Sequence, residues 1–351
     1  MRKKICMIVQ NPLVKGGIAA VVNGYRGSQL EEDFNIIYVE SYKDGGKFAK
    51  FLKAILGYIH FIKVLLVDRP DIVHIHSSFG ASFYRKLPFI YIGNIANKPI
   101  INHIHGSEFE KFYTKASKLK KYLIRKAWNK CSAFIVLSEH WKETLSVVVP
   151  KEKIHIIENY SNISPVISNT ECKNQILFLG AINKMKGCYD IPSVAKIVTN
   201  KISNCKFIIG GYGDIETVKK IAKKLNVEEF LIFPGWVSGE LKDTLLKDSD
   251  IFFLPSYTEG MPMAILDAMG YGMPIVSTDV GSIPKIVHNK KNGYICEPGD
   301  IEGFSKAIIE IINNKEKMKY YGKYSYKIAK EKYSLESHIQ LLKNLYLEFI
   351  I

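Results

Sequence analysis

Two carboxylates eight residues apart, Glu259 and Asp267, bracket the part of this 351-residue chain with the most chemical potential, PSYTEGMPMAILDAMGYGMP from Pro255 to Pro274. The apolar run Ile251–Leu254 reads as a strand leading into it, and Pro262 stands where a helix should begin, since its fixed φ suits the first helical turn. Carried on a helix, the two carboxylates are separated by about 12 Å along its axis, close to the reach from a sugar ring to a ribose across a diphosphate. The amides of Gly260, Met261 and Met263 and the turn at Pro262 lie at the positive end of that helix, where phosphates are stabilised. An ordinary capped helix with an acidic first turn also accounts for Glu259.

Other residue sets invite chemistry less strongly. His74 and His76, and again His103 and His105, would share one face of a strand because side chains repeat every two residues. On neighbouring strands the four imidazoles would converge, an arrangement known for zinc or manganese. Glu108 is the one acidic ligand nearby and no cysteine is suitably spaced, so no metal is expected; His74 reads as a hydrogen-bonded strand-end residue. Asp248-Ser249-Asp250 imitates a metal-binding carboxylate pair but sits where a helix ends and a strand starts. Gly210-Gly211-Tyr212-Gly213 offers close backbone approach to a nucleotide, or simply a tight turn; it lacks the spacing of a dinucleotide fingerprint. The segment from Lys111 to Lys130 carries Lys115, Lys118, Lys121 and Arg125 among eight basic residues and no acidic one. With Phe112, Ala116, Leu119, Leu123 and Ala127 at helical spacing, it reads as a basic amphipathic helix suited to an anionic lipid surface, or as a core helix with a solvated basic face.

The elements that would position these residues alternate along the chain. Apolar runs at Ile5–Val9, Ile36–Glu40, Ile72–Ile75, Ile100–His103, Ala133–Leu137 and Ile154–Ile157 are separated by helical patterns such as Ile18–Leu30, Phe48–Val67 and Phe112–Lys130. The rhythm restarts after the polar stretch Asn159–Cys172, with runs at Ile176–Leu179, Cys205–Ile209, Phe230–Phe233, Ile251–Leu254 and Ile275–Ser277. Strand and helix in alternation predict parallel sheets covered on both faces. The expected organisation is two α/β Rossmann-like domains, 1–163 and 164–330, followed by an amphipathic helix at 331–351 that could pack back on the first.

Net charge is +15, unevenly placed. Residues 1–170 hold 25 Lys and Arg against 13 Asp and Glu, and residues 171–351 hold 24 against 21. The excess of +12 against +3 directs the first half towards anions. A nucleic-acid module is disfavoured, because the basic residues lack interleaved aromatic stacking platforms. The six cysteines show no C-x-x-C pair and read as reduced thiols. Ala54–Val67, the longest apolar stretch, is interrupted by His60 and Lys63 and falls short of the roughly 20 residues that span a bilayer. No spanning segment is expected, and a cytoplasmic chain is.

The motif from Glu259 to Pro274 resembles the signature of the retaining glycosyltransferases of family 4, which have the GT-B fold: E-G-x-P in front, a second acidic residue, and A-M-x-x-G-x-P behind. The resemblance extends over most of the chain, through Gly16-Gly17, Asp71-Ile72-Val73-His74, Ser138, Gly180 to Lys186-Gly187, Ile209 to Gly213, Gly235-Trp236-Val237 and Gly281-Ser282-Ile283-Pro284, in the family's order. It implies two Rossmann-like domains facing each other across a cleft. It also implies a hexose moved from a nucleoside diphosphate sugar to a glycan or lipid-linked acceptor in cell-surface polysaccharide synthesis, with no cofactor or metal. By the same resemblance Glu259 and His105 would act at the donor sugar and Asp267 at the ribose. Lys186 and Gly17 would meet the diphosphate, and Gly16, Gly211, Gly260, Met261, Pro262 and Met263 would complete the donor site. Three positions depart from the pattern. Asp267 replaces the usual Glu, Ala181 the usual Arg after Gly180 (with Lys184 as a substitute cation), and Lys285 an acidic residue. The basic segment adds a peripheral location at the inner face of the plasma membrane. The alternatives are a partner subunit of another glycosyltransferase and a sugar-nucleotide epimerase on the same fold.

Overall fold

The computed structural model describes residues 2–106, 109–165 and 172–350, with the side chains of residues 110 and 111 left aside. Glu108, the acidic neighbour of the histidine pairs, and the side chain of Lys111 lie outside the described residues. The chain divides into two compact units, Met1–Asn159 with Leu335–Ile351, and Tyr160–Ser334. This division falls at Asn159, at the start of the polar stretch Asn159–Cys172.

In the first unit the elements run β1 (Lys4–Val9), α1 (Gly17–Asn23), α2 (Gln29–Asp33), β2 (Asn35–Glu40), α3 (Lys47–Val67), β3 (Ile72–Ser77), α4 (Ala81–Ile95), β4 (Ile100–Ile104), α5 (Lys118–Trp128), β5 (Ala133–Val136), α6 (Glu139–Leu145) and β6 (Ile154–Ile156). The second unit holds β7 (Gln175–Ile182), α7 (Ile191–Thr199), β8 (Lys206–Gly213), α8 (Ile215–Leu225), β9 (Leu231–Gly235), α9 (Gly239–Asp248), β10 (Ile251–Leu254), α10 (Met263–Gly270), β11 (Ile275–Thr278), α11 (Ile283–Ile286), β12 (Gly293–Cys296), α12 (Ile301–Ile312) and α13 (Lys315–Lys332). A last helix, α14 (Leu335–Glu348), returns to the first unit.

Each unit is a six-stranded sheet, in the orders β2-β1-β3-β4-β5-β6 and β12-β11-β10-β7-β8-β9, and all the pairings are parallel. Parallel strands with helices on both faces have no wet side, so their sequences are near-continuous apolar runs. Ile5 to Val9 and all of β3, β4 and β5 are buried accordingly. In each sheet the chain leaves its first strand in one direction and later returns to build in the other. The reversal leaves a gap beyond the strand ends, between β1 and β3 in one unit and β7 and β10 in the other, where such sheets bind ligands.

Two expectations need correction. The helix expected over Phe112–Lys130 is interrupted: a π-helical turn spans Glu110–Thr114, and α5 starts afresh after Ser117, whose hydroxyl accepts from the Lys120 amide. This cap restarts the helix out of phase. Leu119 and Leu123, expected on the apolar face, are exposed; Ala127, expected there too, is buried, and Ile124 and Trp128 join it in their place. The second correction is a strand, β12, that was not expected; at four residues, beginning with Gly293 after Lys290-Lys291-Asn292, it shows too little apolar pattern to stand out.

Helix α14 is fastened to the first unit by polar contacts. His338 Nε2 lies 2.7 Å from the Tyr25 hydroxyl and its Nδ1 2.7 Å from the Glu158 carbonyl. The Tyr346 hydroxyl meets His74 Nδ1 at 2.6 Å, and Lys343 donates to Asp33 at 2.7 Å.

Candidate active site

In the second unit the reversal between β7 and β10 gathers the residues of the Glu259 motif. Strand β7 runs into a 3-10 turn at Lys184–Lys186, whose Lys186 amide is capped by the Asn183 side chain at 2.9 Å. Strand β10 runs into Pro255-Ser256 and the loop to α10. The two loops are locked together: the Tyr257 amide donates to the Met185 carbonyl at 2.8 Å, and a Cβ on Gly187 would lie 1.9 Å from the Pro255 carbonyl oxygen. With φ at +69°, Gly187 is where only glycine serves on both counts.

This lock brings Lys186 to Glu259. Lys186 Nζ donates to Glu259 Oε1 at 2.6 Å, and the Ser256 hydroxyl donates to the same oxygen at 2.7 Å. Glu259 is almost wholly buried while Lys186 stays partly exposed, so the carboxylate is fixed and the cation faces outward. The Gly281-Ser282 turn supports Glu259 from below: a Cβ on Gly281 would lie 2.1 Å from the Glu259 carbonyl oxygen, and the Ser282 amide donates to the Gly260 carbonyl at 2.9 Å.

Helix α10 begins at Met263 with Pro262 as its N-cap, one residue later than the sequence suggested. Met261 is buried beside it. Asp267 lies on the buried side of α10 and does not join the Glu259 cluster. Its Oδ2 accepts from Lys242 Nζ of α9 at 2.5 Å, while Oδ1 has no hydrogen-bond partner among the described residues. Lys242 and Ser256 were both missed by sequence reasoning. Ser256 stands inside the motif, three residues before Glu259, and its small hydroxyl was a usable signal. Lys242 is 25 residues away on a helix whose facing only the tertiary structure fixes.

Other residues at the site are structural in the first instance. A Cβ on Gly211 would meet the Gly180 carbonyl oxygen at 1.8 Å, so these glycines let β7 and β8 close up. Ala181 leaves no cation at its position, and Lys184 is exposed. The Asp250 carboxylate accepts from the Lys173 and Gln175 amides and so pins the start of β7, the structural alternative for Asp248-Ser249-Asp250.

In the first unit, Gly16 and Gly17 precede and open the short helix α1 beside the β1–β3 gap, and a Cβ on either would meet nothing within 4 Å. His105 follows β4; its amide donates to the Ser77 carbonyl at 3.0 Å and its Nε2 lies 2.9 Å from His76 Nδ1. Gly106 is held against Phe79 and the Ser78 hydroxyl. Strands β3 and β4 are neighbours, with His76 opposite His103, and one nitrogen each of His74, His76 and His103 lies within 4.8 Å of the others. The His74 and His103 rings are stacked 5.5 Å apart and only 6° from parallel. Imidazole lone pairs lie in the ring plane, so stacked rings do not aim at one ion. Burial instead keeps these rings neutral: it lowers His74 to about 3, with the nearby His105 and His338 adding to the effect, and lowers His105 to about 3 and His338 to about 4. The basic residues Lys115, Lys118 and Arg125 are exposed, whereas Lys121 is half-buried with its ammonium over the Tyr113 ring.

Comparison with known proteins follows the same division. Residues 160–328 match the model of "Glycosyl transferases group 1", and residues 15–163 that of "Glycosyltransferase Family 4". A curated relative, the UDP-Gal:alpha-D-GlcNAc-diphosphoundecaprenol alpha-1,3-galactosyltransferase of Escherichia coli, is 25% identical over 321 residues, covering 86% of this chain and 81% of its own. Among solved structures, sucrose-phosphate synthase of Thermosynechococcus elongatus superposes with a TM-score of 0.82 at 13% identity, over 99% of both chains. Anabaena HepE, in complex with UDP and glucose, does so with 0.75 at 16% identity, over 99% of this chain and 100% of its own.

Proposed function

We propose, for a chain that belongs to the group 1 and family 4 glycosyltransferases and has their GT-B fold, that it transfers a hexose, with retention of configuration, from a uridine diphosphate sugar to a lipid-linked acceptor in bacterial polysaccharide synthesis. The observation that carries this reading is the buried Glu259 carboxylate, held by Lys186 and Ser256 at the end of β10. A fixed acceptor of hydrogen bonds beside an outward-facing ammonium suits a ligand with hydroxyls at one end and a diphosphate at the other. Support for uridine comes from the E. coli relative, named for UDP-Gal, and from the UDP held by HepE; the alpha-D-GlcNAc-diphosphoundecaprenol in that relative's name supports a lipid-linked acceptor here.

In this reading the second unit holds the donor: Glu259 accepts from the sugar hydroxyls, Lys186 meets the diphosphate and Asp267 holds the ribose. The acceptor hydroxyl oxygen bonds to the anomeric carbon on the face from which the diphosphate departs. The bond from that carbon to the diphosphate oxygen breaks, and the hydroxyl proton passes to the departing oxygen. The diphosphate is its own base, so the step requires neither a protein nucleophile nor a metal. The exposed cations Lys115, Lys118 and Arg125 would draw the protein to the inner membrane face, where such an acceptor resides.

A thermal-shift panel of uridine, guanosine and adenosine diphosphate sugars, without metal, tests the reading on wild type and Glu259→Ala. Stabilisation by a uridine diphosphate hexose, weakened at least tenfold in apparent affinity by the substitution, is expected. Indifference of the wild-type protein to every donor would overturn it in favour of a partner subunit.

A further inference from the structure

Helix α3 is the anomaly of the first unit. Its inner face, Ala54, Gly57, Phe61 and Val64, is buried, and Gly57 allows the helix to lie directly on β2, since a Cβ there would meet the Glu40 carbonyl oxygen at 2.8 Å. Its outer face should then be polar. Instead Phe48, Leu52, Ile55, Ile59, Ile62 and Leu66 recur at steps of four and three residues and form one continuous exposed stripe, from 37% exposure at Ile55 to 77% at Phe48. From Phe48 to Leu66 the stripe is about 27 Å long, far beyond the scattered apolar residues normal on a protein surface.

We propose that this outer face of α3 is a docking surface that lies in the plane of an anionic lipid bilayer, its apolar side chains sunk between the headgroups. Charge selects the occupant. Helix α3 contains Lys47, Lys50, Lys53 and Lys63 and no acidic residue. Lys53 is neutralised by Glu40 at 2.7 Å, and Lys47 and Lys63 are exposed at the two ends of the stripe. α3 packs on α4, and α4 on α5, so the exposed Lys118, Arg125 and Lys126 extend the same helical layer. An apolar strip flanked by cations is the pattern of helices that lie in a lipid interface. A second copy of the chain would bring the same unbalanced lysines together across a two-fold axis. No helix of the described residues is long and apolar enough to cross a membrane, so the fit is to a helix lying on the bilayer. The proposal rests on the reading that the acceptor is carried by a membrane lipid, and it moves the principal contact from basic α5, with its few exposed apolar residues, to α3.

Co-sedimentation with vesicles tests it. Vesicles of phosphatidylcholine alone are compared with vesicles of equal parts phosphatidylcholine and phosphatidylglycerol. The proteins are wild type, an α3 variant (Leu52→Gln, Ile59→Gln, Leu66→Gln) and an α5 variant (Lys118→Glu, Lys126→Glu). Wild type should bind the anionic vesicles at least tenfold more tightly than neutral ones. The α3 variant should lose most of that binding while keeping its donor-induced thermal shift, and the α5 variant should lose a smaller part. Equal vesicle binding by wild type and the α3 variant overturns the proposal. So does a wild-type dimer, seen by light scattering, that the α3 variant dissociates while neither protein binds vesicles. A failure of the glycosyltransferase reading shows separately, as the absence of any donor-induced shift.

Discussion

The two units share one architecture and handle buried polarity in opposite ways. The second buries carboxylates and answers them with lysines or amides: Lys186 for Glu259, Lys242 for Asp267, and the backbone amides of Lys173 and Gln175 for Asp250. The first buries imidazoles (His74, His76, His103 and His338) and Lys86, whose Nζ donates to the Ser41 hydroxyl and the Ile8 carbonyl, with no carboxylate beside it among the described residues. Burial drives these groups towards their neutral forms. A paired, partly exposed cation is ready to exchange partners with an incoming anion. A neutral, stacked imidazole offers hydrogen bonds and shape, and the first unit instead displays its charge and its apolar stripe on the outside. The same reversal of strand order thus serves two kinds of chemistry according to which side chains end the strands.

The contrast is broken most sharply at Glu259. Glu259→Gln leaves the shape and the Ser256 contact but removes the charge opposite Lys186, and turnover should fall about 100- to 1,000-fold, the scale seen when a preorganised polar contact to the reacting group is lost. In a double-mutant cycle with Lys186→Met, measured by kcat/KM, the two effects should be strongly non-additive. Additive effects would separate the pair functionally.

Acid should distinguish the units next. The folded-state values of His74 and His105, about 3, and His338, about 4, lie below the usual 6.5. The unfolded chain therefore binds more protons in this range, and stability conferred by these groups is complete above about pH 6.5 and declines towards pH 4. From about pH 6.5 to about pH 5 each contributes a loss of roughly 2 kcal/mol. Asp190 and Asp250 of the second unit are shifted upward by burial, and raised carboxylates favour the folded state on acidification. Tryptophan fluorescence of a Trp236→Phe variant, which retains only Trp128 and Trp141 of the first unit, should show thermal unfolding falling steeply over this window. A Trp128→Phe, Trp141→Phe variant should show a smaller drop. Equal slopes would remove the distinction.

The smallest expected effect is at Lys242. Lys242→Met leaves Asp267, nearly buried and already lacking a partner on Oδ1, without its cation. Stability should fall by about 1–3 kcal/mol in denaturant unfolding, at the low end of broken buried pairs because Lys242 is partly solvated. An unchanged midpoint would mean that the pair is not needed for folding.

Strands and motif were plain in the sequence because both are local signals: apolar runs report burial on both faces, and E-G-x-P through G-x-P reports one loop and one helix. Eleven of the strands were expected within a few residues of their observed bounds, and Glu259 with Lys186 was expected at one ligand. Helix α5 and β12 escaped for local reasons, a serine cap that changes phase and a strand too short to show a pattern. The ion pair of Lys242 with Asp267, the union of α14 with the first unit through His338 and Tyr346, and the bare outer face of α3 escaped for another reason. The periodicity of Phe48–Val67 identifies a helix, but apolar residues all around it leave open which side meets β2. The kinds of elements, their order and the loop that carries Glu259 follow from local sequence, since these depend on neighbours along the chain. Which cation faces which carboxylate, and which apolar stripe remains outside, emerges only on folding, since these depend on contacts between residues far apart in sequence.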